Sequence, residues 1–283
     1  MPVTVPAPPQ TQTNAGSFWT VADVTDFPAT DEGDALSRLM DGITFRPEAC
    51  GDGGIVELCP DEPVTKDISA PLGVADFPSY GFWEGDTCST LSGAGVYEET
   101  SRRVTDRLNR SRSWWVEQAI WEGSIATSDA TNLTGTGAAS GLVPAMKALI
   151  EAMNDDLRGS RGVVHVAQSV LPFLEFYNLV TRSANMLQVS GTDHVYVTGT
   201  GYPGTDPDGD PPGEAETWIY ATGPIAVRAS GIRLVPGVEF QAIDRSVNDV
   251  AVRAEMAAAP YFDPCAHLAI NACLPDPGPP CET

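Results

Sequence analysis

The period of the apolar residues changes near residue 186. Between residues 97 and 180 they recur at helical spacing, and beyond 186 they alternate or cluster in short strand-like runs. The longest helical segment is Tyr97–Trp121, with no Gly or Pro until Gly123. Val104, Leu108, Ser111, Trp115 and Ala119 form its stripe. A second helix is predicted over Val143–Leu157, with Pro144 in the first turn, where a missing N–H costs nothing. Its apolar face is Met146, Leu149, Ile150 and Met153. A strand at Gly162–Val166 leads into a third helix near Ser169–Val180. Strands are then predicted at Met186–Val189, His194–Thr198, Thr217–Ala221, Ile225–Ala229, Ile232–Val235, Val250–Ala258 and Ala266–Asn271. Helices first and strands afterwards predict an α+β fold, not alternating βαβ units.

The segment before residue 97 behaves differently. Residues 1 to about 16 are rich in Pro, Thr and Gln and read as an extended arm. A short helix is expected over residues 31–41, carrying Ala35, Leu36, Leu39 and Met40, with Thr30 as N-cap and Asp31, Glu32 and Asp34 at its positive end. Turn residues interrupt every other apolar cluster. So loop-rich a stretch is unusual inside a compact domain, and it suggests segments that pack on a neighbouring subunit.

Charge narrows the partners. The 283 residues hold 38 acidic and 16 basic side chains, a formal charge of −22. Such a chain repels a polyanion overall, which argues against general nucleic-acid binding. No apolar run reaches the 18 residues of a membrane span, and the first residues lack the basic and apolar regions of a secretory signal. Of the basic residues, 14 are Arg and two are Lys, Lys66 and Lys147, a bias that a GC-rich genome explains. Arg102, Arg103, Arg107, Arg110 and Arg112 crowd the long helix. A solvated face neutralised by the acidic first 100 residues is the preferred reading; contact with an acidic surface or DNA is the alternative. Trp114 and Trp115 point to different faces of that helix. Both are buried only if it is covered on more than one side, by an overlying loop or a second subunit. Trp114, Trp115, Trp121 and the five arginines are therefore candidates for inter-subunit contact.

No catalytic constellation stands out. Gly199-Thr-Gly201-Tyr-Pro-Gly204 matches a dinucleotide-binding pattern, but Pro203, Pro207, Pro211 and Pro212 forbid the helix that would hold a pyrophosphate. Asp206, Asp208 and Asp210 alternate like the start of a calcium loop, yet Gly209 and Thr217 stand at the wrong positions; a solvated turn is preferred over this weak metal candidate. His165 and His267 lie in apolar strand-like runs and read as hydrogen-bonded core residues. Cys265 and His267 could share a strand face as a thiol–imidazole pair, but packing is the better explanation. The six cysteines, Cys50, Cys59, Cys88, Cys265, Cys273 and Cys281, include no Cys-x-x-Cys. They are either thiols or disulfides formed in an oxidising place, and their pairing cannot be read from spacing.

Several segments together carry a resemblance. They are the helix ending in Val116-Glu-Gln-Ala-Ile-Trp-Glu-Gly123, Thr217–Arg228, Asn248–Glu255, and Tyr261-Phe-Asp-Pro-Cys-Ala-His-Leu-Ala-Ile270. In order and character, residues 96–271 resemble the major capsid protein family of tailed bacteriophages, whose fold is shared with encapsulins. The resemblance implies an N-terminal arm and loops (1–58), an extended hairpin loop (59–96), and a spine helix with the peripheral domain (97–142). An axial domain (143–223), a return through the peripheral domain (224–258), and a final axial strand with a Pro-rich tail (259–283) would follow. Thr217–Arg228 would be the strand pair entering the peripheral sheet, Gly199–Gly213 an axial loop, and the Asp263-Pro264 turn would precede the closing strand.

The family further implies self-assembly into hexamers and pentamers of a shell that encloses DNA without sequence-specific binding. It implies no catalytic residue, cofactor or membrane. The expected partners are a separate scaffolding protein, since the chain lacks a charged helical scaffolding segment, together with a portal and decoration proteins. The expected location is the virion, after assembly in the host cytoplasm. The alternatives are a minor or pentamer-specific paralogue, an encapsulin-type shell, or, in another class, a calcium-loaded secreted binding module or hydrolase. With only two lysines, Lys–Asn crosslinks used by some relatives have few donors, and disulfides or wrapped arms are the expected substitutes.

Overall fold

The computed structural model describes residues 16–26, 39, 42–47, 75–89, 95–125, 129–135, 139–199, 202, 204–244, 246–247 and 249–274. The arm up to residue 15 and, apart from Leu39, the short helix expected over 31–41 lie outside these residues. In chain order the elements begin with α1 (Phe18–Val21), β1 (Asp23–Asp26), β2 (Ile43–Phe45), β3 (Ala75–Phe77) and β4 (Tyr80–Ser89). The long helix α2 (Val96–Ile120), a π-helical turn (Trp121–Ile125), β5 (Thr131–Asn132), β6 (Ser140–Gly141), α3 (Leu142–Leu157) and β7 (Val163–Ala167) follow. After a 3-10 turn come α4 (Leu171–Phe176), β8 (Val180–Ser183), β9 (Met186–Val189), β10 (Val195–Gly199) and β11 (Glu216–Thr222). The chain continues through β12 (Ile225–Ala229), β13 (Arg233–Val235), α5 (Glu239–Ala242), β14 (Ile243–Asp244), β15 (Asp249–Phe262) and β16 (His267–Cys273).

Two sheets organise these elements. In the first, β15 pairs with β4 along one edge and with β12, β13 and β14 along the other, and β1 lies parallel to β12. Side chains alternate across a strand. Val250, Val252, Ala254, Met256 and Ala258 of β15 are accordingly buried beneath α2, while Ala251 and Arg253 face out. The second sheet runs β5-β16-β11-β7-β10-β9-β8. It is covered on both faces. Val164, Val166, Ile219 and Leu268 pack under α3 with Met146, Leu149 and Met153; Val163, Val195, Val197 and Tyr220 join the core beneath α2. Double coverage explains why its strands read as short continuous apolar runs.

The third helix is shorter than its periodicity predicts. Leu171–Phe176 is helical, Asn178 adopts a positive φ of 55°, and β8 begins at Val180. Thr217–Arg228 is not one strand pair: Glu216–Thr222 belongs to the second sheet and Ile225–Ala229 to the first. The chain crosses between sheets at Gly223-Pro224 and returns at Asp263–Ala266. The two crossings are stapled together. Gly223 N donates to Asp263 O and Ala266 O, both at 3.1 Å, and Asp263 N donates to Pro224 O at 2.9 Å. A Cβ on Gly223 would lie 2.4 Å from Asp263 O, so only glycine permits this approach.

Candidate assembly interface

The arginine-bearing helix is tied down within its own chain. Its deepest positions are Thr100, Val104, Leu108, Val116 and Ile120, four or eight residues apart. The intervening position on that line is Arg112, whose guanidinium lies over the Trp19 ring of α1 at 4.4 Å. Toward β4, Arg103 and Arg107 flank Asp86 at 3.4 and 3.6 Å, and Arg107 donates to Gly85 O at 3.1 Å. Glu84 Oε1 accepts from Ser111 Oγ at 2.9 Å and Trp115 Nε1 at 3.4 Å. Arg102 pairs with Glu99 and Asp106 on the helix itself, at 2.8 and 3.1 Å. Arg110 is exposed. Trp114 and Trp115 are half-buried and meet edge to face at 4.5 Å. Acidic partners are thus what most of this arginine face meets, and one of them, Asp86, sits on β4.

Trp121 is not available to another subunit. It is only 1% exposed and packs edge-on against His165, Tyr202 and Tyr220, with centroids 5.4, 4.3 and 5.1 Å away. Tyr202 donates its hydroxyl hydrogen to Trp218 O, and Tyr220 OH donates to Thr205 O at 3.0 Å. His165 shares a 2.9 Å bond with Thr222 Oγ1, beside the first crossing. Thr222 Oγ1 itself donates to Gly223 O, so His165 contributes the proton from Nε2. Its Nδ1 is buried with no hydrogen-bond partner. Burial, with the nearby His267, pushes the His165 imidazole down to about 3. His267 donates from Nε2 to Ile125 O at 2.8 Å, and burial also lowers its pKa. His194 receives a 2.9 Å bond from Gly162 N on Nδ1 and meets Asn154 Oδ1 through Nε2 at 3.1 Å. All three histidines serve packing between elements.

The remaining sequence candidates resolve as follows. Asp206 Oδ1 accepts from the backbone N–H of Asp208 and Asp210 at 2.9 and 2.7 Å, an Asx-type turn. Among the described residues no group of three His, Cys, Asp or Glu side chains gathers for a metal. Gly199 is a packing glycine, since a Cβ there would fall 1.3 Å from Glu117 Oε1. Cys265 and Cys273 are disulfide-bonded, which removes the thiol from the Cys265–His267 pair; Cys88 is a thiol. Cys50, Cys59 and Cys281 lie outside the described residues. Among those residues no helix is long and apolar enough to cross a membrane.

Among the described residues, the exposed large apolar side chains are ones that periodicity did not single out. Trp83, on the outward side of β4, is 64% exposed, and Phe240 on α5 is 70% exposed. Trp83, Thr87, Val235, Pro236, Ile243 and Arg253 line a groove of about 930 Å³ on the outward face of the first sheet. Phe176 of α4, 76% exposed, marks the far end of the second sheet with Tyr177 against it at 5.2 Å. The one signal available in the sequence was aromatic residues outside any apolar stripe.

No family model matches the chain, and no curated protein matches it. Solved structures do. The capsid of an empty GTA particle computed with C5 symmetry aligns with a TM-score of 0.55 at 11% identity, covering 97% of this chain and 94% of that one. The capsid of the native GTA particle aligns at 0.53 and 10% identity, with the same coverage. The capsid of Ralstonia phage GP4 aligns at 0.52 and 9% identity, covering 98% and 96%. With a spine helix laid over one sheet, a second sheet reached by paired crossings, and near-complete alignment in both directions, the chain has the phage-capsid fold.

Proposed function

We propose that this chain is the major capsid protein of a tailed-phage head, assembling with copies of itself into the hexamers and pentamers of an icosahedral shell around the genome. The observation that carries the reading is the alignment of almost the whole chain with almost the whole of capsid subunits. In this reading the first sheet and α2 form the peripheral domain, and the second sheet forms the axial domain. Shell formation needs surfaces, not a reaction, and the described histidines are all committed to internal hydrogen bonds. DNA is enclosed without sequence-specific binding, because the main cationic cluster is already paired with acids of its own chain. A separate scaffolding protein, a portal and decoration proteins complete the head, which assembles in the host cytoplasm.

Sedimentation of the purified chain, with negative-stain images of the heavy fractions, tests this directly. Closed shells or rings of five and six are expected. A well-folded monomer at tens of micromolar, with and without a co-expressed scaffold, would overturn the reading. Copy number within a natural particle separates a major subunit from a pentamer-specific one.

A further inference from the structure

The longest strand with an unpaired edge is β4. It runs ten residues and pairs with β15 alone, whereas the edge strands β1 and β8 have four residues each. Its register fixes which main-chain groups are spare. Residues opposite one another in an antiparallel pair alternate between exchanging hydrogen bonds and pointing them away. Ala257 N donates to Ser230 Oγ at 2.9 Å and Ala257 O accepts from Ser230 N at 2.8 Å, on the far side of β15. Gly81 lies opposite Ala257. The N–H and C=O groups of Gly81, Trp83, Gly85 and Thr87 therefore point away from β15, toward the open edge.

Part of that edge is closed by the chain itself. Gly85 O accepts from Arg107 at 3.1 Å, and Thr87 N donates to Asp86 Oδ1 at 2.9 Å. Gly81 and Trp83 have no such cover among the described residues. Both are exposed, and a Cβ on Gly81 would meet nothing within 4 Å. An uncapped edge of this kind is a template for another strand.

The open stretch is complementary to itself. We infer that β4 pairs antiparallel with β4 of a second copy, Gly81 of each opposite Trp83 of the other. Each such pair exchanges both of its N–H···O bonds, and Phe82 lies on the twofold axis between them. The two Trp83 rings share the outward face as diagonal neighbours, within reach of one another, and each faces the bare Gly81 of the other copy. Arg107 sets the register. Placing Trp83 opposite Trp83 would need Gly85 O as the acceptor for Gly81 N, and Arg107 holds that oxygen. The opposite shift sets Trp83 against Ser79, before the strand begins. The place of this contact in a shell rests on the capsid reading: head-to-tail contacts close rings of five or six, and a twofold contact joins one ring to the next.

Hydrogen exchange of the full-length chain, resolved to single residues, reads the pairing directly. In the dilute monomer the amides of Gly81 and Trp83 should exchange quickly, while those of Phe82 and Glu84, which face β15, stay protected. High salt screens the −22 charge of each copy. Sedimentation should then show association, and Gly81 and Trp83 should become protected. Gly81→Pro removes an outward N–H and no bond to β15, and Trp83→Ala removes the ring. Each change occurs twice in a twofold contact, so either should raise the dissociation constant about tenfold or more, with the melting temperature of the dilute monomer little changed. Fast exchange at Gly81 and Trp83 in the associated protein would overturn the pairing. So would their protection in the dilute monomer, which would put another segment of the same chain on this edge, and so would association that neither variant weakens. Shells in which these amides exchange freely refute the pairing alone, and pairs that never build shells refute the capsid reading alone.

Discussion

His165 shows how one buried residue ties stability to pH. Its Nε2 proton is committed to Thr222, and a second proton could go only to Nδ1, which faces no acceptor. The charged form is therefore penalised in the folded state, and its pKa falls to about 3 from an unfolded value near 6.5. A depressed histidine contributes stability that is present above about pH 6.5 and is lost as pH falls toward the folded value, because the unfolded chain then binds more protons. His194 and His267 are depressed in the same direction by burial. Unfolding free energy should fall between pH 6.5 and 5, before most carboxylates titrate. His165→Phe should flatten that slope by up to ~1.4 kcal/mol per pH unit. Denaturant titrations at several pH values measure it; identical slopes in the two proteins would refute the assignment.

Gly199 makes a second prediction at this scale. An alanine there overlaps the Glu117 carboxylate, itself 2% exposed, so Gly199→Ala should cost about 1–3 kcal/mol by overpacking. Its effect should be non-additive with Glu117→Ala, since the two changes share one contact. A G-x-G-x-x-G pattern is a poor guide to this position: its first glycine answers a neighbouring helix, not a phosphate.

At the scale of elements, helices and strands with apolar faces were legible and those with paired charges were not. The α3 helix and, apart from the two-residue β14, the strands β9 through β16 fall close to where periodicity places them, because most of their buried positions are apolar. The long helix was found, but its stripe was read through Ser111, Trp115 and Ala119. The buried line instead runs through Val116 and Ile120, and Arg112 disguises it by filling its turn with a guanidinium stacked on Trp19. β4 was missed for the complementary reason. Glu84 and Asp86 make its helix-facing side look solvated, yet they are the partners of Ser111, Trp115, Arg103 and Arg107. Charge pairing between distant elements leaves no period in either one. The crossing between sheets was also invisible, since Gly223-Pro224 looks like any hairpin turn. It supplies a clean test. Gly223→Ala drives a Cβ into the Asp263 backbone and should lower the denaturant midpoint by an amount worth about 2 kcal/mol or more. Gly81→Ala, with nothing within 4 Å, should be neutral or slightly stabilising.

For the whole molecule, the excess of 38 acidic over 16 basic side chains leaves a strongly negative subunit. Arg102, Arg103, Arg107, Arg182, Arg233 and Arg253 each meet an acid of their own chain, and the −22 charge that remains after every basic residue is counted is what a neighbour meets. Copies brought together in a shell repel one another until salt shortens that field, from about 30 Å at 0.01 M to about 10 Å at 0.1 M. Apolar contacts, for which Trp83, Phe176 and Phe240 are the exposed candidates, lose nothing to salt. Assembly followed by light scattering should therefore be slow at 0.01–0.05 M NaCl and rise toward 0.5 M, and Trp83→Ala should reduce the plateau more than it alters the salt dependence. Were shells instead to dissolve as salt is added, the subunit contacts would be made of opposed charges, and the arginine face of α2 would have to exchange its own acids for a neighbour's on assembly.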